Sequence, residues 1–252
     1  MLVSVLASGS KGNCTYIQTN SHKCLIDVGM NYKYISTKLE EIGVDIKDID
    51  TVLITHTHTD HINGLKKLMK DVKPNIYLTD KMLNEIGYEL TNYNLINNDF
   101  ILDDLNIEVI KLSHDADDIN GYVLSVNDKS VVYITDTGYI NIKNHNKLVN
   151  KNLYIMESNH DVNMLMKGRY PYHLKMRILG DKGHLSNKDS ANYLSKFIGN
   201  NTKYIILAHL SHENNEPSIA LNNLKEVLKE KNNYNPDILI ATQENRTELI
   251  EV

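Results

Sequence analysis

The sequence predicts an α/β fold in which two β-sheets pack face to face with helices on the outside. Short apolar and β-branched runs recur along the 252-residue chain, and each half begins with strands joined by tight turns before strand and helix alternate. No linker rich in Pro, Gly or Ser separates the halves, so residues 1–252 are expected to form a single domain. A chain of this length buries roughly three quarters of its unfolded surface, enough for a core that needs no disulfides.

The elements follow in order. Runs at 2–7, 14–18 and 23–28, broken by "SGSKGN" and "TNSHK", read as a strand meander. "YKYISTKLEEIG" is a helix ending at Gly43, "TVLIT" is a strand, and "INGLKKLMKDV" carries Ile62, Leu65, Leu68, Met69 and Val72 at helical spacing. "NIYLT" and "KMLNEIGYEL" repeat strand and helix. "IEVIKLS", "NGYVLSVN" and "SVVYITD" add three strands, with a tight turn at Asn127 and Asp128. "LYIMES", helices near 160–179 and 188–198, "YIILAHLS", the helix "SIALNNLKEVLKEK" and "DILIAT" complete the chain.

Composition narrows the function. A net charge of -5 argues against a protein that coats nucleic acid by overall basicity, while leaving room for a local basic strip. The apolar start "LVSVLA" is too short for a signal-peptide core, and no stretch approaches a membrane span. A cytoplasmic protein with no membrane partner is expected. Cys14 and Cys24 form no CxxC pair and read as free thiols in a reducing compartment, with a cross-strand disulfide as the lesser alternative.

"LITHTHTDHING" packs His56, His58, Asp60 and His61 into six positions of a strand-to-helix loop. Alternate side chains, His56 and His58, can enter one pocket while Asp60 and His61 serve its neighbour, an arrangement that fits two metal ions better than one. Imidazole and carboxylate donors without thiolate suit Zn(II), Fe or Mn(II). Four ligands cannot fill two coordination shells, and His114, Asp136 and His209 supply more, each just after an apolar strand. Any one of them alone would read as a hydrogen-bonded strand-end residue.

"KGRYPYHLKMRILGDK" concentrates Lys167, Arg169, Lys175, Arg177 and Lys182 around Tyr170 and Tyr172. Such a strip can hold backbone phosphates while tyrosines stack on bases, and otherwise it is a solvated helix face. His184 follows immediately, in "GHLSN", where "LSNKDS" also reads as a helix N-cap.

The HxHxDH pattern of His56, His58, Asp60 and His61, with the later ligands in order, resembles the metallo-β-lactamase superfamily. "LIDVGM" is similar to that superfamily's early strand, ending in Asp27 and Gly29. The resemblance implies an αββα sandwich, with two mixed β-sheets and helices on both outer faces. It implies two divalent metal ions at one sheet edge, one on His56, His58 and His114 and the other on Asp60, His61 and His209. Asp136 would bridge them, and Asp27 would support the metal loop. Two cations roughly 3.5–4 Å apart acidify a shared water to hydroxide, so the reaction class is hydrolysis. Asp136 stands where many β-lactamases of this fold carry Cys, which argues against antibiotic cleavage.

"ASGSKGNCTYI", "HTHTDHINGL", "LSHDA", "YITDTGY", "ESNHD", "GHLSN" and "HLSHENN" occur in an order that resembles the YycJ/WalJ/VicX group of bacterial metallohydrolases. That resemblance implies a 5′-to-3′ exonuclease on double-stranded DNA with a free 5′ end, linked to mismatch repair. Asp60 and His184 would be catalytic, His184 contacting the scissile phosphate or protonating the leaving oxygen as in related ribonucleases. Asn159, His160, His212 and Asn214, together with Arg169 and Lys175 of the basic strip, would contact substrate. The competing readings are a small-molecule phosphodiesterase, thioesterase or lactonase of the same fold, and a regulator whose metals are structural.

Overall fold

A computed structural model describes residues 1–231 and 234–252. The strands are β1 (Leu2–Ala7), β2 (Cys14–Gln18), β3 (Lys23–Ile26), β4 (Thr51–Leu53), β5 (Asn75–Leu78), β6 (Tyr93–Leu95), β7 (Phe100–Leu102), β8 (Leu105–Lys111), β9 (Asn120–Val126), β10 (Lys129–Ile134), β11 (Leu153–Glu157), β12 (Tyr204–Ala208), β13 (Asp237–Ile240) and β14 (Ile250–Glu251). The helices are α1 (Tyr32–Glu40), α2 (Thr59–Ile62), α3 (Leu65–Asp71), α4 (Asp80–Glu85), α5 (His145–Leu148), α6 (Val162–Lys167), α7 (Tyr172–Leu179), α8 (Asn187–Phe197) and α9 (Pro217–Lys231).

Among the described residues the strands form two seven-stranded sheets, ordered β14-β1-β2-β3-β4-β5-β6 and β13-β12-β11-β10-β9-β8-β7. Each sheet begins with antiparallel pairs, β1-β2-β3 and β7-β8-β9-β10. Each becomes parallel where helical crossovers intervene, from β3 to β6 and from β10 to β13.

Period-two alternation sorts the side chains into three layers. Val3, Ile17, Ile26 and Leu53 of the first sheet meet Val131, Tyr133, Ile155 and Ile206 of the second between the sheets. Leu25, Val52 and Ile76 point outward onto Ile35, Leu39, Leu65 and Leu68 of α1 and α3. Tyr154, Met156, Ile205 and Leu207 point the other way, onto Leu194, Phe197 and Leu224 of α8 and α9. Burying each large aliphatic side chain contributes roughly 1.5–3 kcal/mol. Cys14 and Cys24 fall in different layers, on opposite faces of the first sheet, and both are free thiols. No helix among the described residues is long and apolar enough to cross a membrane.

Several boundaries differ from the sequence expectation. Helix α1 stops at Glu40, and Gly43 closes the following turn at φ +75°. The helix expected over 160–179 is two helices, α6 and α7, broken at Gly168–Pro171 because Pro171 cannot continue the hydrogen-bond ladder of α6. The helix expected to Leu90 ends at Glu85. β6, β7 and β14 were not anticipated: two or three residues long, they are too short to show a period.

The loops after β1 and β3 are stitched to the His-rich loop by main-chain bonds. Asn13 N donates to Asp60 O and Val28 N to His61 O, each at 2.8 Å, while Gly29 N donates to Asn13 O at 2.8 Å. A Cβ on Gly29 would lie 1.7 Å from Asp60 O, so only glycine permits this approach. Gly29→Ala is expected to destabilise the protein by about 3 kcal/mol, because main chain rather than a flexible side chain must give way. Urea unfolding measures it; an unchanged midpoint would contradict this packing.

Candidate functional site

Strands of both sheets deliver the chemistry at one edge of the sandwich. Beyond β4 the chain runs through Ile54 and Thr55 to His56 and His58, and α2 then carries Asp60 and His61 in a single turn. His114 follows β8, Asp136 lies two residues past β10, and His209 lies one residue past β12. Continuing the alternation of β11, Glu157 shares the inward face of Leu153 and Ile155.

The rings of His56, His58 and His114 cluster with centroids 4.6, 5.6 and 5.2 Å apart. Asp60, His61 and His209 form a second convergent set. Asp136 lies between them, with Oδ2 3.2 Å from His61 Nε2 and Oδ1 3.4 Å from His209 Nδ1. Asp27, Asp136 and His209 adopt left-handed backbone at φ 60°, 58° and 54°. Such conformations in non-glycine residues persist only where the surroundings over-determine them. Here His209 N donates to Ser8 Oγ at 2.7 Å and Asp27 N to Leu53 O at 2.9 Å.

The donors fit a divalent cation. His56 Nε2 and His209 Nε2 are buried without a hydrogen-bond partner among the described residues. An unsatisfied buried polar atom costs about 1–3 kcal/mol, which coordination would relieve. Outer contacts also orient the ligands as metal sites require. Asp27 Oδ2 lies 2.7 Å from His61 Nδ1 and accepts from Thr55 Oγ1, while Oδ1 accepts from Thr55 N. His114 Nδ1 lies 3.1 Å from Gly183 O.

Electrostatics divides the imidazoles into two classes. Burial pushes His56 well down and lowers His58, and it takes His114 to about 4. Burial would also lower His61, but the Asp27 and Asp136 carboxylates outweigh it and raise the ring to about 10. His209 is likewise raised, by Asp136 first and by Asp60 and Glu157. Burial alone would raise Asp136, yet the charges on His209 and His61 hold it well below the usual carboxylate range.

Glu157 escaped the sequence reading. Completely buried, it accepts from Thr137 N and Leu185 N on Oε2, while Oε1 lies 2.7 Å from His184 Nδ1 and 3.0 Å from His209 Nδ1. Burial raises its carboxyl, but the His184 charge prevails and brings it down to about 2. "LYIME" carried the signal, an apolar strand ending in a potential ligand, as "VVYITD" does. Ser186 caps α8, the N-cap expected in "LSNKDS", while His184 two residues before it lines the pocket over the cluster.

A pocket of about 300 Å³ opens over the cluster, walled by His58, Asp60, Asp136, His184 and His209 and by Tyr170, Arg177 and Lys182. Asn159 is also on its wall, and its Nδ2 donates to His209 O at 2.9 Å. His160 is buried, with neither ring nitrogen hydrogen-bonded among the described residues. Asn214 is buried, and its carbonyl accepts from Asp161 N. Arg169 and His212 are exposed and not on this wall. Lys175 corrects the sequence expectation: it is buried, and its Nζ donates to Met166 O and Gly168 O at 2.7 Å, capping α6 rather than facing substrate. Arg177, paired with Asp115, and Lys182 bring positive charge to the pocket instead.

A sequence profile of the metallo-beta-lactamase superfamily matches residues 7–209. Exodeoxyribonuclease YycJ of Bacillus anthracis is 37% identical over 236 residues, spanning 90% of this chain and 89% of that protein. Exodeoxyribonuclease WalJ of Streptococcus pneumoniae is 38% identical over 226 residues, spanning 86% and 84%. The metallo-beta-lactamase fold protein YhfI from Bacillus subtilis superposes with a TM-score of 0.71 at 18% identity, covering 98% of this chain and 99% of that one, and so shares the fold.

With His61 and His209 protonated in the metal-free protein, cation binding there must displace protons. Calorimetric titration with Zn(II) in buffers of different ionisation enthalpy is expected to show proton release near neutral pH and tighter binding as pH rises. Binding without proton release, at pH-independent affinity, would contradict the charge assignment.

Proposed function

The chain belongs to the metallo-beta-lactamase superfamily of metal-dependent hydrolases, and on that premise we propose that it cleaves phosphodiester bonds as a 5′-to-3′ exonuclease on double-stranded DNA. The observation that carries this reading is likeness along 90% and 86% of the chain to two proteins named exodeoxyribonuclease. Convergence of the donor sets supports two ions, one on His56, His58 and His114 and the other on Asp60, His61 and His209, with Asp136 between. Zn(II), Mn(II) and Fe all accept such donors. Bound there, the ions would supply an acidified water as nucleophile and draw charge from the phosphoryl group.

The chain's own side chains do the rest. His184 stands on the pocket wall with Nδ1 tied to Glu157, which fixes the orientation of the ring. Its Nε2 is then the atom that delivers a proton to the departing alkoxide. Asp60 lines the same pocket, where it would serve as a ligand and accept a hydrogen bond from the attacking water. Arg177 and Lys182 receive the phosphate at the pocket, and exposed Arg169 reaches backbone phosphates farther along the duplex. Asn159 steadies the His209 ligand through its carbonyl.

The test is a gel assay on duplex DNA labelled at the 3′ end, with Mn(II) or Zn(II) added. Progressive shortening from the 5′ end is expected, lowered about 10³-fold by His58→Ala and about tenfold by Arg177→Glu. A metal-loaded protein inert on every DNA end, yet active on small phosphodiesters, would favour the small-molecule reading instead.

A further inference from the structure

A second recess of about 170 Å³ lies beside the metal pocket. The two share Leu210 and Ser211 in their linings, so the recess adjoins the metal pocket. Its lining differs in kind: Leu210, Pro217 and Ala241 give it apolar sides, with the exposed His212 ring at its edge. There is room for one planar heterocycle and none for a base pair.

Gln243 supplies the polar element. Its Oε1 is buried with no hydrogen-bond partner among the described residues, while its Nε2 lies 3.4 Å from the Oγ of Ser10, a residue of the metal-pocket wall. The backbone makes room for this amide. Gly9 has φ +137°, and a Cβ there would lie 2.4 Å from Gln243 Nε2. An amide oxygen left unpaired beside apolar walls is relieved when its side chain turns it toward an N–H on a flat, apolar-faced partner. Every nucleobase offers an N–H on its edge and a face that stacks.

Resting on the nuclease reading above, we infer that this recess is a nucleobase subsite, which takes the base of a nucleotide next to the scissile phosphate while the metal pocket takes the phosphate. The base enters unpaired, so the terminal pair of a duplex opens before cleavage. Turned into the recess, Gln243 Oε1 accepts from the base edge, and Leu210 and Pro217 contact its faces. His212, placed by sequence resemblance among the substrate contacts, acts here and not at the metals.

The experiment compares kcat/KM on duplexes whose first or second 5′ nucleotide is a tetrahydrofuran abasic residue with kcat/KM on the intact duplex. Methyl 4-nitrophenyl phosphate, which carries no base, reports phosphodiester hydrolysis independently. For the wild type, an abasic residue at one of the two positions is expected to lower kcat/KM about tenfold, the scale of a lost base contact. Gln243→Trp, which fills the recess, should abolish that discrimination, and Gln243→Leu should reduce it. Circular dichroism and metal content establish that the variants are folded and loaded. A wild type that cleaves intact and abasic ends alike, or a Gln243→Trp variant that keeps the discrimination, overturns the subsite. A wild type that hydrolyses methyl 4-nitrophenyl phosphate but no DNA overturns the nuclease reading, and the subsite with it.

Discussion

Three carboxylates withdrawn from water, Asp27, Asp136 and Glu157, dictate how the rest of the molecule is arranged. A buried negative charge persists only if donors and positive charge surround it. Asp27 is answered by Thr55 and His61, Glu157 by two backbone amides and the rings of His184 and His209, and Asp136 by His61 and His209. The imidazoles are thereby aimed, since a ring tied at Nδ1 presents Nε2 to the pocket. Cations bound between the sets would complete the neutralisation that the protein begins with protons.

Such a network needs residues from distant parts of the chain to meet, and the sandwich provides this. Strands β4, β10, β11 and β12 end at the same edge, and the layer between the sheets opens there into the pocket. Apolar alternation along each strand seals the interior up to its last turn, so the next residue is buried yet reaches the site. The left-handed conformations at Asp27, Asp136 and His209 turn the chain sharply at these ends. Glycines that let main chain approach main chain, Gly29 against Asp60 above all, brace the loops against that strain.

Local features of the sequence were the legible ones. The spacing of His56, His58, Asp60 and His61 lies within a single loop, and an apolar strand followed by a ligand marks His114, Asp136 and His209. Glu157 follows the same pattern, but a carboxylate closing "LYIME" also reads as a strand end reaching solvent, and only the packing of β11 between β10 and β12 buries it. Charge counting could not separate Lys175 from Arg177. On the short helix α7 they stand two residues apart, yet one reaches back to carbonyls at the end of α6 and the other lines the pocket. The recess beside Leu210 joins residues from both ends of the chain, a juxtaposition invisible to any local pattern.

Metal content is the most direct measure of the central claim, that paired donor sets around buried carboxylates hold two divalent ions. Native mass spectrometry after loading with Zn(II) or Mn(II) and desalting should find about two ions per chain, one for each donor set. A His58→Ala/His209→Ala variant, with one ligand removed from each set, should retain none. A wild-type chain that holds no ion, or a double variant that holds as many as the wild type, would contradict the account.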